Sequence, residues 1–341
     1  MKNKITTEQL FFSRTWNFLN HYLVKQAGRS PETVESYRDS LTIFKNNLVE
    51  EANKSIATFQ YADCTKECIY NYREYLLSKG YKPSTVNVRV AAIRSYLFYS
   101  ADMDISIQSI ALAISQITPC KTTKEEKKII SNEGLTALFA APPNTKFGLR
   151  DRVILILLYD TAVRISELLN IRLGDIALNT KYPSIFITGK GNKERTIQLT
   201  DKATEHLKEY LRIYHKNQSP ERYLFSTTIK GHTDRMSVAN VQRVIKKYST
   251  IVRDSGIDLP KSVHCHMFRR TRATNLYQDG VELELVSRIL GHSSTQTTRI
   301  YVAPSIEMMR KAMEHNEDSV PDENPLWLGD EAELARLCGI R

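Results

Sequence analysis

Near the end of the chain, LGHSSTQTTRIY (residues 290–301) sets His292 nine residues ahead of Tyr301. Ser293, Ser294, Thr295, Thr297 and Thr298 fill most of the gap, and Gly291 reads as a helix stop after the apolar run ending at Leu290. Four further polar positions stand out. Arg164, in YDTAVRISELL, is expected inside an otherwise apolar helix, and Glu167 three residues on shares its face. Lys190, in GKGNKER, is expected at a hairpin tip; the spacing and following Ser or Thr of a phosphate-cradling loop are absent. His266 and Arg269 lie three apart in HCHMFRRTRATN, around an expected helix start. Each has a bland reading when taken alone: a structural ion pair, a solvated lysine, a run of polar side chains. His264, Cys265 and His266 look like metal ligands, but adjacent residues point different ways and no second cluster at ligand spacing exists, so no metal is expected.

Taken together, these residue types suit one reaction, cleavage of a phosphodiester without metal or cofactor. Charge grows on the non-bridging oxygens as the phosphorus approaches five-coordination. Arginine meets it with a permanently charged fork that donates two parallel bonds, so Arg164 and Arg269 would form a clamp. Losing one such donor would cost about 3–4 kcal/mol of barrier. A lysine among arginines is biased toward giving up its proton to a leaving oxygen, the role for Lys190. His266 or His292 would serve as base or hydrogen-bond partner. Tyr301 would attack, and a phosphotyrosine would conserve the bond energy, so that rejoining needs no ATP.

The elements that must hold these groups follow from the apolar pattern. The chain has 341 residues, more than one ordinary core, and two domains are expected. Residues 8–26 carry Phe11, Phe12, Trp16, Phe18, Leu19, Tyr22 and Leu23 near helical spacing. A second helix should start at Ser30-Pro31 and bury Val34, Tyr37, Leu41, Phe44 and Leu48. A third spans about Thr65 to Lys79; a fourth starts at Ser84 and carries Val86, Val90, Ile93, Leu97 and Phe98. Arg89 and Arg94 fall off that stripe and Lys82 just precedes it, giving a basic edge. Residues 1–117 thus read as a helical bundle. Residues 118–129, polar and charged, read as a linker. In residues 130–313, helices flank a β-hairpin, SIFITGKGNKERTIQL, where Ile185 and Ile187 alternate with outward positions, as do Ile197 and Leu199. Helices are expected at Leu155 to Leu169, Asp201 to Tyr214, Val238 to Ser255, Arg269 to Gly280 and Leu283 to Leu290. The fold class is therefore mainly α with a small β-hairpin: a helical bundle followed by an α+β domain. Residues 314–341 form an acidic arm ending in a short amphipathic helix with Trp327, Leu334 and Leu337.

Charge points to the partner. The net charge is +10, but residues 314–341 hold eight acids and two bases, leaving +16 on the first 313 residues. A basic body with an acidic tail suits a polyanion, and binding should weaken steeply with salt. No run is apolar enough to span a bilayer; Val153 to Tyr159 is the longest, and Asp160 ends it. The N-terminus shows no secretion signal, and five cysteines without framework spacing suit a reduced, cytoplasmic setting. Cys64 and Cys68 read as small half-buried residues.

Arg164 with RISELL, GKGNKER, HMFRRT, LGHSSTQTT and Tyr301 match, in order and spacing, the motifs of the tyrosine recombinases, the phage-integrase family, over about residues 130–301. The resemblance is specific because five motifs recur in order; residues 1–117 resemble that family's SAM-like core-binding domain by pattern alone. It implies that Arg164, Lys190, His266, Arg269 and His292 assemble around the scissile phosphate, that Tyr301 attacks it, and that Glu167 takes a supporting acidic position. It also implies a homotetramer on double-stranded DNA with inverted core sites, strand exchange through a Holliday junction, a bacterial, nucleoid-associated location, and a C-terminal segment that docks on a protomer. Arg270 stands where the family usually has histidine or lysine, and Arg272 where an apolar residue is usual. Either both touch phosphate or this helix packs differently from the family's; Arg270 and Arg272 are counted with Lys82, Arg89, Arg94, Arg243 and Lys246 as expected DNA contacts. Two rivals use the same residues: a type IB topoisomerase, which would relax supercoils without recombinant joints, and a DNA-binding module with an idle site. A metal-dependent transposase lacks its acidic triad.

Overall fold

The computed structural model describes residues 6–51, 54–122, 128–189, 193–216, 218–291, 295–299, 308–310 and 330–339. The chain divides into two compact units, Met1–Glu125 and Glu126–Arg341.

The first unit is helical. A short helix α1 (Thr15–Asn17) continues as a π-helical stretch (Phe18–Gln26) and is followed by α2 (Pro31–Glu50), α3 (Lys66–Ser78), α4 (Pro83–Met103) and α5 (Gln108–Ser115). Ser30 caps α2 as expected: its side chain accepts from the Thr33 N–H, and proline takes the first helical position. Thr65 caps α3 by accepting from Cys68. Val34, Leu41, Phe44, Leu48, Val86, Val90, Ile93 and Leu97 are all buried, joined by an aromatic centre in which Phe11 meets Phe44, Phe59 and Tyr96 edge-on at 5.2–5.5 Å. Burial obliges the tyrosines in this centre to find partners: the Tyr61 hydroxyl lies 2.9 Å from both the Tyr96 hydroxyl and the Ser100 Oγ.

The pattern misleads in three places. Residues 8–26 are not one helix, because Leu10 pairs with Gln60 in a β-bridge before the chain turns into α1. Trp16 is 69 % exposed, since two residues of helical rotation carry it to the far side from Phe18. Phe98, one step past the buried Leu97, is likewise exposed. The first residues of the expected linker are also fixed to this unit. The Cys120 N–H donates to Asn87 at 2.8 Å, and Arg73 donates to the Thr118 carbonyl at 3.0 Å.

The second unit begins with α6 (Asn132–Ala140), α7 (Lys146–Asp160) and α8 (Ile165–Asn170). Three antiparallel strands follow, β1 (Ile176–Ala177), β2 (Ser184–Thr188) and β3 (Glu194–Gln198), in that order across the sheet. Next come α9 (Asp201–Tyr214), an antiparallel pair β4 (Ser226–Ile229) and β5 (His232–Arg235), then α10 (Val238–Asp254), α11 (Cys265–Gln278), α12 (Leu283–Leu290), α13 (Thr295–Arg299) and α14 (Glu331–Leu337). The apolar α7 is the axle of this unit: Ile154, Leu155, Leu157 and Leu158 have no accessible surface, and α6, α9, α10 and α11 pack around it. The expected hairpin is β2–β3, in register Ile185 with Ile197 and Ile187 with Arg195. Ile185, Ile187, Ile197 and Leu199 face the core. β1 and the β4–β5 pair were not expected. β5 is exposed along its length, so these strands carry no apolar alternation to read.

Two helix boundaries move, and both matter to the site. Arg164 is not inside a helix: α7 stops at Asp160, Ala162 takes a left-handed conformation (φ 49°), and Arg164 is the extended N-cap of α8. Helix α11 starts at Cys265 rather than Arg269, so His266 and Arg269 both lie in its first turns.

Candidate active site

Glu167 is the residue around which this part of the molecule is built. As the third residue of α8 it reaches back to the N-cap, where the Arg164 N–H donates to Oε2 at 2.9 Å. The Arg164 side chain donates to Oε1 at 2.8 Å. From β3, Arg195 donates to Oε2 at 2.8 Å and to Oε1 at 3.4 Å. The carboxylate is buried, which alone would raise its pKa. The hydrogen bonds from Arg195 and from the Arg164 backbone, with the Arg195 charge and the Arg164 side-chain bond, outweigh burial and hold it below the ordinary carboxylate range.

Arg269 projects from α11 into the interior and is 1 % exposed. Its Nη1 donates to the Ala162 carbonyl and its Nη2 to the Leu290 carbonyl, both at 2.6 Å. The first acceptor lies two residues before Arg164; the second ends α12, directly before Gly291. The kink at Ala162 turns its carbonyl to this guanidinium, which explains why a helix break rather than a continuous helix precedes Arg164. One side chain thereby ties together three segments that carry expected site residues.

His266 opens toward solvent at the start of α11. Loss of water around its ring, then the charges of Arg269, Arg270, His264 and Arg164, lower its pKa to about 4. At neutral pH it is therefore an uncharged imidazole, able to accept a hydrogen bond or a proton. His264 is shifted downward by partial burial and by Arg270, while Cys265 between them is buried. Among the described residues no cluster of His, Cys, Asp or Glu has the makings of a metal site.

Of the expected catalytic set, Arg164, His266 and Arg269 are described, with Glu167 beside them. Lys190, His292 and Tyr301 lie outside the described residues. Arg195, which the sequence reading passed over, belongs to the same network.

The residues expected to contact phosphate divide into two groups. Lys82, Arg243 and Lys246 are exposed, the last two on the outer face of α10. The others have work inside the fold. The Arg89 guanidinium lies 4.9 Å over the Tyr81 ring. Arg94 donates to the Ile114 carbonyl at 3.2 Å and also to that of Ile117, closing the end of α5 rather than forming a basic edge. Arg270 is buried, and Arg272 lies over Tyr159 with its fork 3.9 Å from the Asp160 carboxylate.

Comparison with known proteins agrees with this architecture. The phage integrase family profile matches residues 128–308, and its N-terminal SAM-like domain matches residues 17–102. Tyrosine recombinase XerC of Staphylococcus epidermidis is 32 % identical over 292 residues, 85 % of this chain and 93 % of that relative. XerC of Staphylococcus carnosus is 31 % identical over 83 % of this chain and 90 % of its own length. Two solved structures share the fold. The XerH site-specific recombinase bound to difH substrate has a TM-score of 0.63 at 21 % identity, covering 94 % of this chain and 86 % of that one. The Tn1549 transposon integrase in complex with circular intermediate DNA has a TM-score of 0.66 at 16 % identity, covering 91 % and 99 %. No helix among the described residues is long and apolar enough to cross a membrane. From its motifs, its two-unit architecture and these relatives, the chain belongs to the phage integrase family, the tyrosine recombinases.

Proposed function

We propose that this protein is a site-specific recombinase that cuts and rejoins double-stranded DNA through a covalent 3′-phosphotyrosine on Tyr301, without metal or ATP. The observation that carries the reading is the double anchorage of Arg269 on the Ala162 and Leu290 carbonyls, next to the Glu167-bound Arg164. Both guanidinium groups are oriented before any substrate arrives, as stabilisation of a growing phosphoryl charge requires.

In this reading the Tyr301 oxygen bonds to phosphorus as the bond to the 5′ oxygen breaks. Arg164 and Arg269 take the non-bridging oxygens. His266 and His292 accept or share hydrogen bonds at the phosphate and the nucleophile, and Lys190 gives its proton to the departing 5′ oxygen. The phosphotyrosine keeps one ester bond, so attack by a 5′ hydroxyl of the partner duplex rejoins DNA and frees the phenol. Two rounds in a homotetramer on inverted core sites pass through a Holliday junction, in the cytoplasm at the nucleoid. The palindromic substrate of the related XerH complex supports two-fold symmetric sites. The test is a duplex nicked beside the cleavage point, which loses a short fragment on cutting and traps the covalent complex. The unmodified protein should form it and Tyr301→Phe should not; a covalent complex that survives Tyr301→Phe ends the reading.

A further inference from the structure

Arg195 occupies the inward face of β3, in register with the buried Ile187 and two residues before the buried Ile197. Its side chain is 13 % exposed. One guanidinium makes bonds in two directions. Nη2 and Nη1 grip both oxygens of Glu167, the carboxylate that holds Arg164. On the other side, Nε donates to the Ile289 carbonyl at 3.3 Å. The next carbonyl along, that of Leu290, is the one that anchors Arg269. The turn after α12 closes onto this group: a Cβ at Gly291 would lie 2.9 Å from Arg195 Nη1 and 3.0 Å from its central carbon. Gly291 also takes a left-handed conformation, φ +65°, so both space and backbone call for glycine.

We propose that Arg195 is a positioning residue that sets Arg164 and Arg269 against each other, through Glu167 on one side and the Ile289–Gly291 turn on the other. This rests on the reading of those two arginines as the phosphate clamp. In this role Arg195 acts through those two arginines rather than on a reacting atom. Its planar fork is what the arrangement uses, because a rigid guanidinium spans a carboxylate and a carbonyl at once, whereas a lysine ammonium is a point charge on a flexible stem. Lysine here would still neutralise Glu167 but would let the two anchors drift apart.

The experiment compares the full-length protein with Arg195→Lys and Gly291→Ala, which disturbs the same contact from the other side. DNA affinity, thermal midpoint and the single-turnover rate of covalent complex formation are measured on the nicked duplex. The rate is measured again on a duplex whose scissile 5′ oxygen is replaced by sulfur, a leaving group that needs no proton. Arg195→Lys should stay folded and bind DNA as before, while its rate falls by about 100-fold, the scale expected of an ångström misplacement. Gly291→Ala should fall in the same direction. The sulfur substrate should not restore either, because the fault lies in the clamp and not in proton donation. An unchanged rate in Arg195→Lys, rescue by sulfur, or a loss of DNA binding that accounts for the rate overturns the proposal. Failure of the unmodified protein to form any covalent complex would instead sink the parent reading, and this one with it.

Discussion

Glu167→Gln is the sharpest test of how the site is held. The side chain is only 3 % exposed and receives four hydrogen bonds, from the Arg164 N–H and side chain and twice from Arg195. Glutamine keeps the shape but turns one oxygen into a donor. If the amide replaces Oε1, it faces Nη1 of both arginines; if it replaces Oε2, it faces the Arg164 N–H and Arg195 Nη2. In either orientation donor meets donor and a buried guanidinium loses its counter-charge. Removing one partner of a buried pair costs roughly 3–5 kcal/mol. Arg164 is 38 % exposed, so water recovers most of its share, and only the Arg195 side counts in full. That leaves about 3 kcal/mol, or a fall of roughly 6–12 °C in Tm for a unit of this size. The assay is thermal unfolding at pH 7 and again at acid pH. Glu167 has a lowered folded pKa, so its contribution is complete above the unfolded carboxylate pKa of about 4.3 and is lost as pH falls through the folded value. The gap between the two proteins should therefore narrow below pH of about 4. Equal Tm values at pH 7, or a gap indifferent to acid, would refute the network as the source of stability.

Four further outcomes can be checked. With the His266 pKa lowered to about 4, covalent complex formation should hold level as pH drops from 8 through 6 and lose rate only near 4; an acid limb close to 6.5, the ordinary histidine value, contradicts this. Arg269→Ala should slow cleavage by about 10²–10³-fold, and should also lower Tm by orphaning the Ala162 and Leu290 carbonyls; a fast, stable variant counts against the clamp. Arg243→Ala and Lys246→Ala should each weaken DNA binding and reduce its salt slope by about 1, with cleavage at saturating DNA unaltered; an unchanged slope removes them from the interface. Deleting residues 314–341 should weaken tetramer assembly on DNA more than binding of one protomer, and native gels showing equal losses would discount a docking arm.

Much of the fold could be read because its signals are local. Ser30-Pro31 announces α2, and the paired isoleucines of β2 and β3 announce their hairpin. The errors arise where a tertiary partner overrides the local pattern. Seen as a string, Leu155 to Leu169 is one apolar helix; in the molecule Arg269 draws the Ala162 carbonyl out of it and Arg164 becomes a cap. A residual signal existed, since a glutamate at the third position of α8 marks a helix start. Arg195 was overlooked because a cation in GKGNKER looks solvated. Yet the alternation that put Ile197 and Leu199 inward puts Arg195 inward too, and a charge on a buried face is the feature to look for. Arg94 failed the other way: off the apolar stripe, it still turns back to the end of α5.

The way the two arginines are held bears on the proposed binding of a phosphate. A buried guanidinium is commonly tied down by a carboxylate, which orients it but cancels its charge. Two of the bonds on Arg269 go to backbone carbonyls, dipoles that fix direction without neutralising. Glu167 is one carboxylate shared between Arg164 and Arg195, so that trio keeps a net positive charge. His266 registers part of the resulting field: after loss of water around its ring, the charges of Arg269, Arg270, His264 and Arg164 lower its pKa, and Arg269 and Arg164 are the two proposed to hold the phosphate. An incoming phosphodiester would be attracted by the same potential and would meet donors already in place. If that is the purpose of the arrangement, phosphate or vanadate bound at the site should raise the His266 pKa toward its ordinary value. An NMR titration of the imidazole that stays put on saturation would mean the cations serve only the fold.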